Sequence, residues 1–170
     1  MKTIILNRHG KSDWSESDQE DYNRTLAKRG VKDSNMMAEL LKSKNIKINK
    51  IISSSACRAI STAKIFKKTL SIVDEHIQEE IDIYSSGVSY FKNKAINWSN
   101  ELNTVLVFGH NPDFSSIATY YLGYRFANIP TCGMVCLDFE INSWEELNST
   151  NATLRFFQYP KMFRKDADID

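Results

Sequence analysis

Two of the three histidines in this chain lie in short polar motifs that directly follow apolar, strand-like runs. Residues 3–6 lead to His9, and residues 104–108 lead to His110. In α/β proteins, the loops at the C-terminal ends of parallel strands form the ligand-binding crevice. We therefore expect the two histidines to contribute to one site. Arg8, directly before His9, points to an anionic ligand.

The first histidine motif suits chemistry on phosphorus. The neutral imidazole of His9 can act as a nucleophile, and the guanidinium of Arg8 could grip phosphate oxygens with its planar fork. Gly10 has no side chain, which would let a ligand approach closely. The alternative is a surface-loop histidine beside a solvated arginine, and the Arg-His-Gly triplet alone leaves both interpretations open.

Arg58 and His110 are further candidate phosphate-binding residues. Arg58 follows a strand end and a serine run, near a predicted helix start, where a cation is unfavourable for the helix dipole unless it serves a ligand. His110 precedes a helix and could donate a hydrogen bond to a phosphoryl oxygen. The alternatives are an exposed helix arginine and a helix-capping turn with an incidental histidine. The third histidine, His76, lies among acidic residues and is interpreted as a solvated surface residue.

The pattern of apolar residues predicts strands that alternate with helices. The predicted strands cover residues 3–8, 50–54, 104–108, 131–141 and 154–158. The predicted helices cover residues 27–44, 90–102 and 114–122. A further predicted helix directly follows the serines at 53–55, which would cap it. Residues 10–25 form a long polar loop, and residues 77–83 are ambiguous between strand and loop. This order predicts one domain, residues 1–170, of the three-layer α/β/α class with a mainly parallel central sheet.

Composition excludes several classes of protein. The net charge of +1 and the lack of a basic stripe disfavour binding to nucleic acid. No apolar run is long enough for a membrane span, and the lack of a signal-peptide pattern predicts a cytoplasmic protein. Three cysteines without metal-type spacing predict free thiols rather than a zinc site: Cys57, Cys132 and Cys136.

Several segments, in order and spacing, together resemble the histidine phosphatase superfamily, the branch that includes phosphoglycerate mutases. The shared motifs are Arg-His-Gly within residues 6–12, Ser-Ser-x-x-x-Arg-x-x-x-Thr-Ala within residues 53–63, and the second histidine motif at 109–112. SixA-type phosphohistidine phosphatases are the closer match. The segments that resemble this type are residues 11–14, 21–30, 130–133 and 159–161. The similarity covers about residues 3–161 and implies the phosphoglycerate mutase-like fold.

The resemblance assigns roles to the candidate residues. It implies that His9 is the nucleophile that becomes phosphorylated, and that Arg8, Arg58 and His110 form the phosphate pocket. Ser15, in the loop after the nucleophile, is an expected substrate-binding residue. No metal and no cofactor are implied, because phosphoryl transfer relies on positioning and electrostatics, which the arginines supply.

The resemblance is weakest at the general acid that phosphoester-cleaving relatives use. Glu79, Glu80 and Asp82 lie in roughly the right region, but an acidic run of this kind is expected to be a solvated face. A chain without such an acid suits phosphohistidine, whose P–N bond is of high energy. Without a large insertion to cap the site, an open pocket also suits a phosphorylated protein side chain.

The expected activity is therefore that of a phosphohistidine phosphatase. Its partner would be a phosphorylated protein, for instance a histidine phosphotransfer domain. Two alternatives stay open: a general phosphomonoesterase acting on small phosphorylated substrates, and a non-catalytic phosphate-binding module. The apparent core is sufficient for a monomer.

Overall fold

The computed structural model of the chain describes residues 1–15, 20–72, 77–84, 87–147 and 152–164. His76 lies outside these ranges, and so does part of the predicted loop, residues 16–19.

A six-stranded sheet forms the centre of the fold. Its strands are β1 (Lys2–Arg8), β2 (Lys50–Ser53), β3 (Gln78–Glu79), β4 (Thr104–Gly109), β5 (Met134–Phe139) and β6 (Ala152–Gln158). The order across the sheet is β3-β2-β4-β1-β5-β6. The first four strands in this order are mutually parallel, and β5 and β6 continue the sheet in antiparallel pairing. The predicted mainly parallel sheet is confirmed.

In the described part of the chain, four α-helices pack on the sheet. They are α1 (Lys28–Ser43), α2 (Cys57–Thr69), α3 (Gly87–Ala95) and α4 (Asp113–Leu122). Short 3₁₀ turns cover Asp21–Asn23, Ile81–Tyr84, Trp144–Glu146 and Pro160–Met162. The predicted helix over residues 90–102 is displaced, because α3 ends at Ala95 and is followed by turns in which Asn97 and Trp98 donate to carbonyls three residues back.

Both faces of the sheet are buried, which makes the fold three-layered. Side chains alternate between the two faces of a strand. In β1, Ile4 and Leu6 join the cluster covered by α3 and α4, whereas Ile5 joins the cluster covered by α1 and α2. The same alternation in β4 explains why this strand reads as a continuous apolar run. The predicted α/β/α class is therefore confirmed.

The serine run at residues 53–55 does not cap α2, contrary to the prediction. The N-cap residue is Ala56, and no side chain there accepts a capping hydrogen bond from the helix. The Oγ atom of Ser54 instead lies 2.9 Å from His110 Nε2. This serine therefore contacts the second histidine, and at the helix start it accepts from the N–H of the N-cap residue Ala56 at 3.3 Å rather than from an N–H inside the helix.

The three cysteines are free, as predicted, with Cys57 half-buried and Cys132 and Cys136 buried. Among the described residues, no group of three or more His, Cys, Asp or Glu side chains is placed to hold a metal ion. None of the described helices combines the length and apolar character needed to cross a bilayer.

Candidate active site

The two histidines lie side by side at the C-terminal ends of neighbouring parallel strands. Arg8, the last residue of β1, pairs in register with Gly109, the last residue of β4. His9 and His110 each follow directly, and the backbone N–H of His9 donates to the carbonyl of Gly109 at 3.0 Å. The imidazole centroids are 5.0 Å apart. Strand register therefore places residues from distant segments in one site.

The hydrogen bonds of His9 define which ring nitrogen is available for chemistry. Its Nδ1 lies 2.7 Å from the carbonyl oxygen of Gly10. Because a carbonyl only accepts, Nδ1 must carry the proton in this contact. Nε2 then holds a lone pair, and it accepts a hydrogen bond from Arg58 Nε at 3.2 Å. The residue is 93% buried and its ring is fixed from both sides, which leaves Nε2 as the ring nitrogen with a lone pair.

Both histidines are neutral at physiological pH. Burial, and to a smaller degree the charge of Arg58, lowers the pKa of His9 to about 4. Burial also lowers the pKa of His110 to about 3, with further contributions from His9 and Arg58. A neutral imidazole is the form that can attack an electrophile, so burial keeps the lone pair of His9 available without an adjacent base.

His110 has one ring nitrogen free for a ligand. Ser54 Oγ accepts from the N–H of Ala56 at 3.3 Å and keeps its own hydrogen, which it can donate to His110 Nε2. Nδ1 is then the protonated nitrogen, and this buried atom has no hydrogen-bond partner among the described residues. An N–H left in this state costs free energy until an acceptor arrives, so His110 is prepared to donate to an anion.

Arg58 lies in the first turn of α2 and is buried, with 6% of its surface exposed. Its two terminal nitrogens are held by Asp21: Nη1 donates to the backbone carbonyl, and Nη2 donates to Oδ2 at 2.8 Å. The interpretation of Arg58 as an exposed helix arginine is therefore wrong. The unfavourable position near a helix N-terminus is offset by the carboxylate of Asp21 and serves to aim Nε at His9.

Asp21 and Tyr84 belong to the site, although neither was singled out as a candidate from the sequence. The Tyr84 hydroxyl donates to Asp21 Oδ2, and the Tyr84 ring packs edge-on against His110 with centroids 5.0 Å apart. The hydrogen bond from Tyr84 and the charge of Arg58 hold the pKa of Asp21 below its usual range. Asp21 is the first residue of the motif at residues 21–30, and this motif is the sequence feature from which Asp21 could be identified as a site residue.

Two further arginines bring unpartnered donors to the site. Arg8 donates from Nη1 to the carbonyl of Ile129 at 2.7 Å, and Arg24 stacks on the ring of Trp14 at 3.5 Å. Within the described part of the chain, three buried guanidinium nitrogens make no hydrogen bond: Arg8 Nε, Arg24 Nε and Arg24 Nη1. Arg24 Nε lies 3.7 Å from Asp21 Oδ1, within ion-pair but not hydrogen-bond distance. Arg24 is thus a fifth basic residue of the site, which the motif at residues 21–30 also signalled.

The role predicted for Gly10 is wrong. A Cβ at Gly10 would lie 2.9 Å from both the carbonyl oxygen of Gly30 and Ser34 Oγ, so α1 occupies that space rather than a ligand. The Gly10 N–H donates to Thr62 Oγ1 on α2 at 3.0 Å. This glycine lets α1 and α2 pack closely against the loop that follows β1.

The remaining candidates do not contact the site. Ser15 is exposed, and its N–H donates to the neighbouring Asp13 at 3.0 Å.

Glu79 and Asp82 are exposed. Glu80 accepts from Tyr90 and pairs with Lys94 at 3.3 Å, on the side of α3. Burial alone would raise the pKa of Glu80, but hydrogen bonds from Gln78, Lys94 and Tyr90 outweigh this effect and hold the pKa below its usual range. Glu79 and Asp82 form a solvated face, as the sequence interpretation favoured, whereas the Glu80 side chain is largely buried against α3.

The arrangement can bind a tetrahedral anion and present a nucleophile to it. Three arginines face one carboxylate, Asp21, and the two neutral histidines add no charge. The excess positive charge and the free donors on Arg8, Arg24 and His110 suit an oxyanion with several acceptor oxygens.

Comparison with known proteins extends this description. Residues 4–84 match the model of the histidine phosphatase superfamily, branch 1. An uncharacterised chloroplastic protein of Arabidopsis thaliana is 27% identical over 156 residues, which cover 85% of this chain and 70% of that protein. An uncharacterised protein of Mycobacterium leprae is 25% identical over 166 residues, which cover 91% of this chain and 99% of that protein.

Solved structures share the fold. The protein histidine phosphatase SixA, solved as a tungstate complex, matches with a TM-score of 0.83 at 19% identity and covers 95% of this chain and 99% of its own. A SixA protein from Agrobacterium tumefaciens, described as a phosphohistidine phosphatase, matches at 0.77 and 20% identity, over 94% and 98%. A mycobacterial glucosyl-3-phosphoglycerate phosphatase matches at 0.65 and 12% identity, over 92% and 98%.

Proposed function

This chain belongs to the histidine phosphatase superfamily, and from that premise we propose that it is a phosphatase whose nucleophile is His9 and whose substrate is phosphohistidine on a protein. The observation that carries the proposal is the state of His9. A neutral, buried imidazole presents an unprotonated Nε2 next to donors that have no other partner. A binding module would need the donors but not a fixed nucleophile among them.

The first step transfers the phosphoryl group to His9. Nε2 attacks phosphorus and the P–N bond to the substrate imidazole breaks. The bonding electron pair stays on that imidazole, which leaves as a neutral ring when its other nitrogen carries a proton. In the free protein, Arg58 Nε donates to the Nε2 lone pair. A phosphoryl oxygen entering the site must take over this hydrogen bond, which frees Nε2 for the attack.

The second step returns His9 to its starting state. Water attacks the phosphorus of the phosphorylated His9, the new P–N bond breaks, and inorganic phosphate is released. In both steps charge spreads over the equatorial phosphoryl oxygens, and positive groups around them lower the barrier. Arg8, Arg24 and Arg58 supply this positive charge, and His110 Nδ1 donates a further hydrogen bond.

The state of Asp21 supports an N-linked substrate. An alkoxide leaving group needs a proton from a nearby acid. Asp21 is the carboxylate in contact with the site among the described residues, and its lowered pKa keeps it ionised. Phosphohistidine leaves through a nitrogen and needs less assistance. Names of two structural neighbours, protein histidine phosphatase and phosphohistidine phosphatase, agree with this substrate class.

The test compares release of phosphate from a phosphohistidine protein and from a simple phosphomonoester, with wild type and His9→Ala side by side. We expect faster release from phosphohistidine, lost in His9→Ala without loss of the fold by circular dichroism. Equal or faster ester cleavage would identify a general phosphomonoesterase instead. Tight phosphate binding without turnover of either substrate would identify a binding module.

A further inference from the structure

Two large apolar side chains are exposed beside the cationic site. Trp14 is 62% exposed and stacks on Arg24, and Ile81 is 64% exposed. Ile81 and Tyr84 are the first and last residues of one 3₁₀ turn, where residues three apart lie above one another on the same face. Because Tyr84 contacts Asp21 and His110, Ile81 stands on the site side of that turn.

The charges around Ile81 have the opposite sign to those inside the pocket. Glu79 lies two residues before Ile81 and Asp82 lies directly after it, and both are exposed, whereas the pocket holds the guanidinium groups of Arg24 and Arg58 beside Asp21. We call residues 79–82 the rim segment. An anion bound in the pocket is thus bordered by an apolar contact and by acidic side chains.

We propose that the rim segment is a docking surface for the substrate protein, and that it selects phosphohistidines flanked by apolar and basic side chains. The inference rests on the proposed function. The phosphoryl group is attracted inward, and whatever carries it must lie against the rim. Ile81 supplies exposed apolar surface on this segment, and Trp14, exposed on the same site, is of a residue type typical of interface anchors. The acidic residues favour a basic partner surface.

This assignment gives the acidic run at residues 79–82 a role other than proton donation. Glu79 does not touch the reacting groups, so its effect should lie in KM and in salt dependence rather than in kcat. Small substrates do not reach the rim and should be insensitive to it.

The test uses two synthetic phosphohistidine peptides of equal length, one flanked by Leu and Arg and the other by Ser and Glu. Inorganic phosphoramidate is the small substrate. We expect wild type to prefer the Leu/Arg peptide about tenfold in kcat/KM. Ile81→Ser and Glu79→Gln should each remove most of this preference through KM and leave phosphoramidate turnover unchanged.

Tyr124→Ser is the matched control. Tyr124 is 53% exposed just after the C-terminus of α4, one helix length away from His110, and its substitution should keep the preference. Equal use of both peptides by wild type, or equal loss of phosphoramidate turnover in the rim variants, would overturn the inference. If wild type cleaves phosphoesters but neither peptide nor phosphoramidate, the proposed function fails, and the inference fails with it.

Discussion

At the scale of single residues, burial is the main cause of the lowered pKa values of the two histidines. His9 and His110 are fixed by backbone and serine contacts, and their imidazoles are removed from water. The protonated form of a buried imidazole loses more hydration than the neutral form, so the pKa falls. The fold therefore sets the protonation state of the site without a neighbouring base.

This burial makes a prediction about pH. An unperturbed histidine becomes protonated near pH 6.5, whereas His9, with a pKa of about 4, and His110, with a pKa of about 3, should stay neutral at pH 5. The ¹⁵N chemical shifts of the free protein should show two imidazoles that do not titrate between pH 8 and pH 5. Titration of either ring near pH 6.5 would contradict the buried, neutral nucleophile. His9→Ala identifies which signals belong to the nucleophile.

Arg24 should bind the phosphoryl group, because two of its buried nitrogens have no hydrogen-bond partner among the described residues. A hydrogen bond to a charged group contributes about 1.5–3 kcal/mol, so Arg24→Met should weaken binding of inorganic phosphate about tenfold to a hundredfold. Calorimetric titration measures this. Arg29→Met is the control, since that side chain is 60% exposed and pairs with Asp33. Unchanged affinity in Arg24→Met would remove this arginine from the site.

At the scale of elements, the loop that follows β1 and carries His9 is held between α1 and α2. The Ala27 N–H donates to the Lys11 carbonyl at 2.9 Å, and Gly10 lies against Gly30 and Thr62. The loop is thus positioned by helix packing, so substitutions remote from the reacting atoms should still disturb it.

Gly30→Ala should destabilise the fold and slow turnover together. A Cβ at Gly30 would lie 2.2 Å from the carbonyl oxygen of Lys11 and 2.9 Å from its nitrogen. Because both atoms are backbone, α1 must move away, at a cost of about 2–3 kcal/mol. Urea unfolding and phosphoramidate hydrolysis measure the two effects. Asn35→Ala, on the exposed face of α1, should change stability by less than about 0.5 kcal/mol. Equal unfolding free energies and equal turnover in Gly30→Ala and Asn35→Ala would contradict the positioning of this loop by α1.

The sequence predicted the elements better than their contacts. Buried strands are continuous apolar runs, so β1, β2 and β4 and the histidines that follow β1 and β4 could be located. The site contacts of Asp21 could not, because its partners lie 37 and 63 residues away, at Arg58 and Tyr84. For the same reason, the tertiary contact of Ser54 with His110 replaced the predicted helix cap.

At the scale of the whole molecule, an ion pair ties the C-terminal part of the described chain to α1. Arg164 Nη2 lies 2.6 and 2.5 Å from the two carboxylate oxygens of Asp33, which is 97% buried. Arg29 approaches the same carboxylate only to 3.7 Å. That residues 1–170 form one domain, and that it is a monomer, stay predictions.

Removal of Arg164 should be far more costly than removal of Arg29. Arg164→Gln leaves a buried carboxylate with a distant, exposed partner, and loss of one member of a buried pair costs about 3 kcal/mol or more. Arg29→Gln removes a mostly exposed charge and should cost less than about 1 kcal/mol. The free energies of unfolding in urea compare the two variants directly. Similar losses of unfolding free energy in the two variants would show that the Arg164–Asp33 ion pair does not stabilise the contact between this segment and α1.

In the proposed reaction, His9 carries the phosphoryl group during turnover. The most direct measurement reacts the protein with a phosphohistidine protein, quenches in base, where phosphohistidine persists, and locates the phosphoryl group by mass spectrometry. We expect one phosphoryl group on His9 in wild type and none on the chain in His9→Ala. Phosphate release with no phosphorylated enzyme, or with the phosphoryl group on His110, would contradict this role of His9.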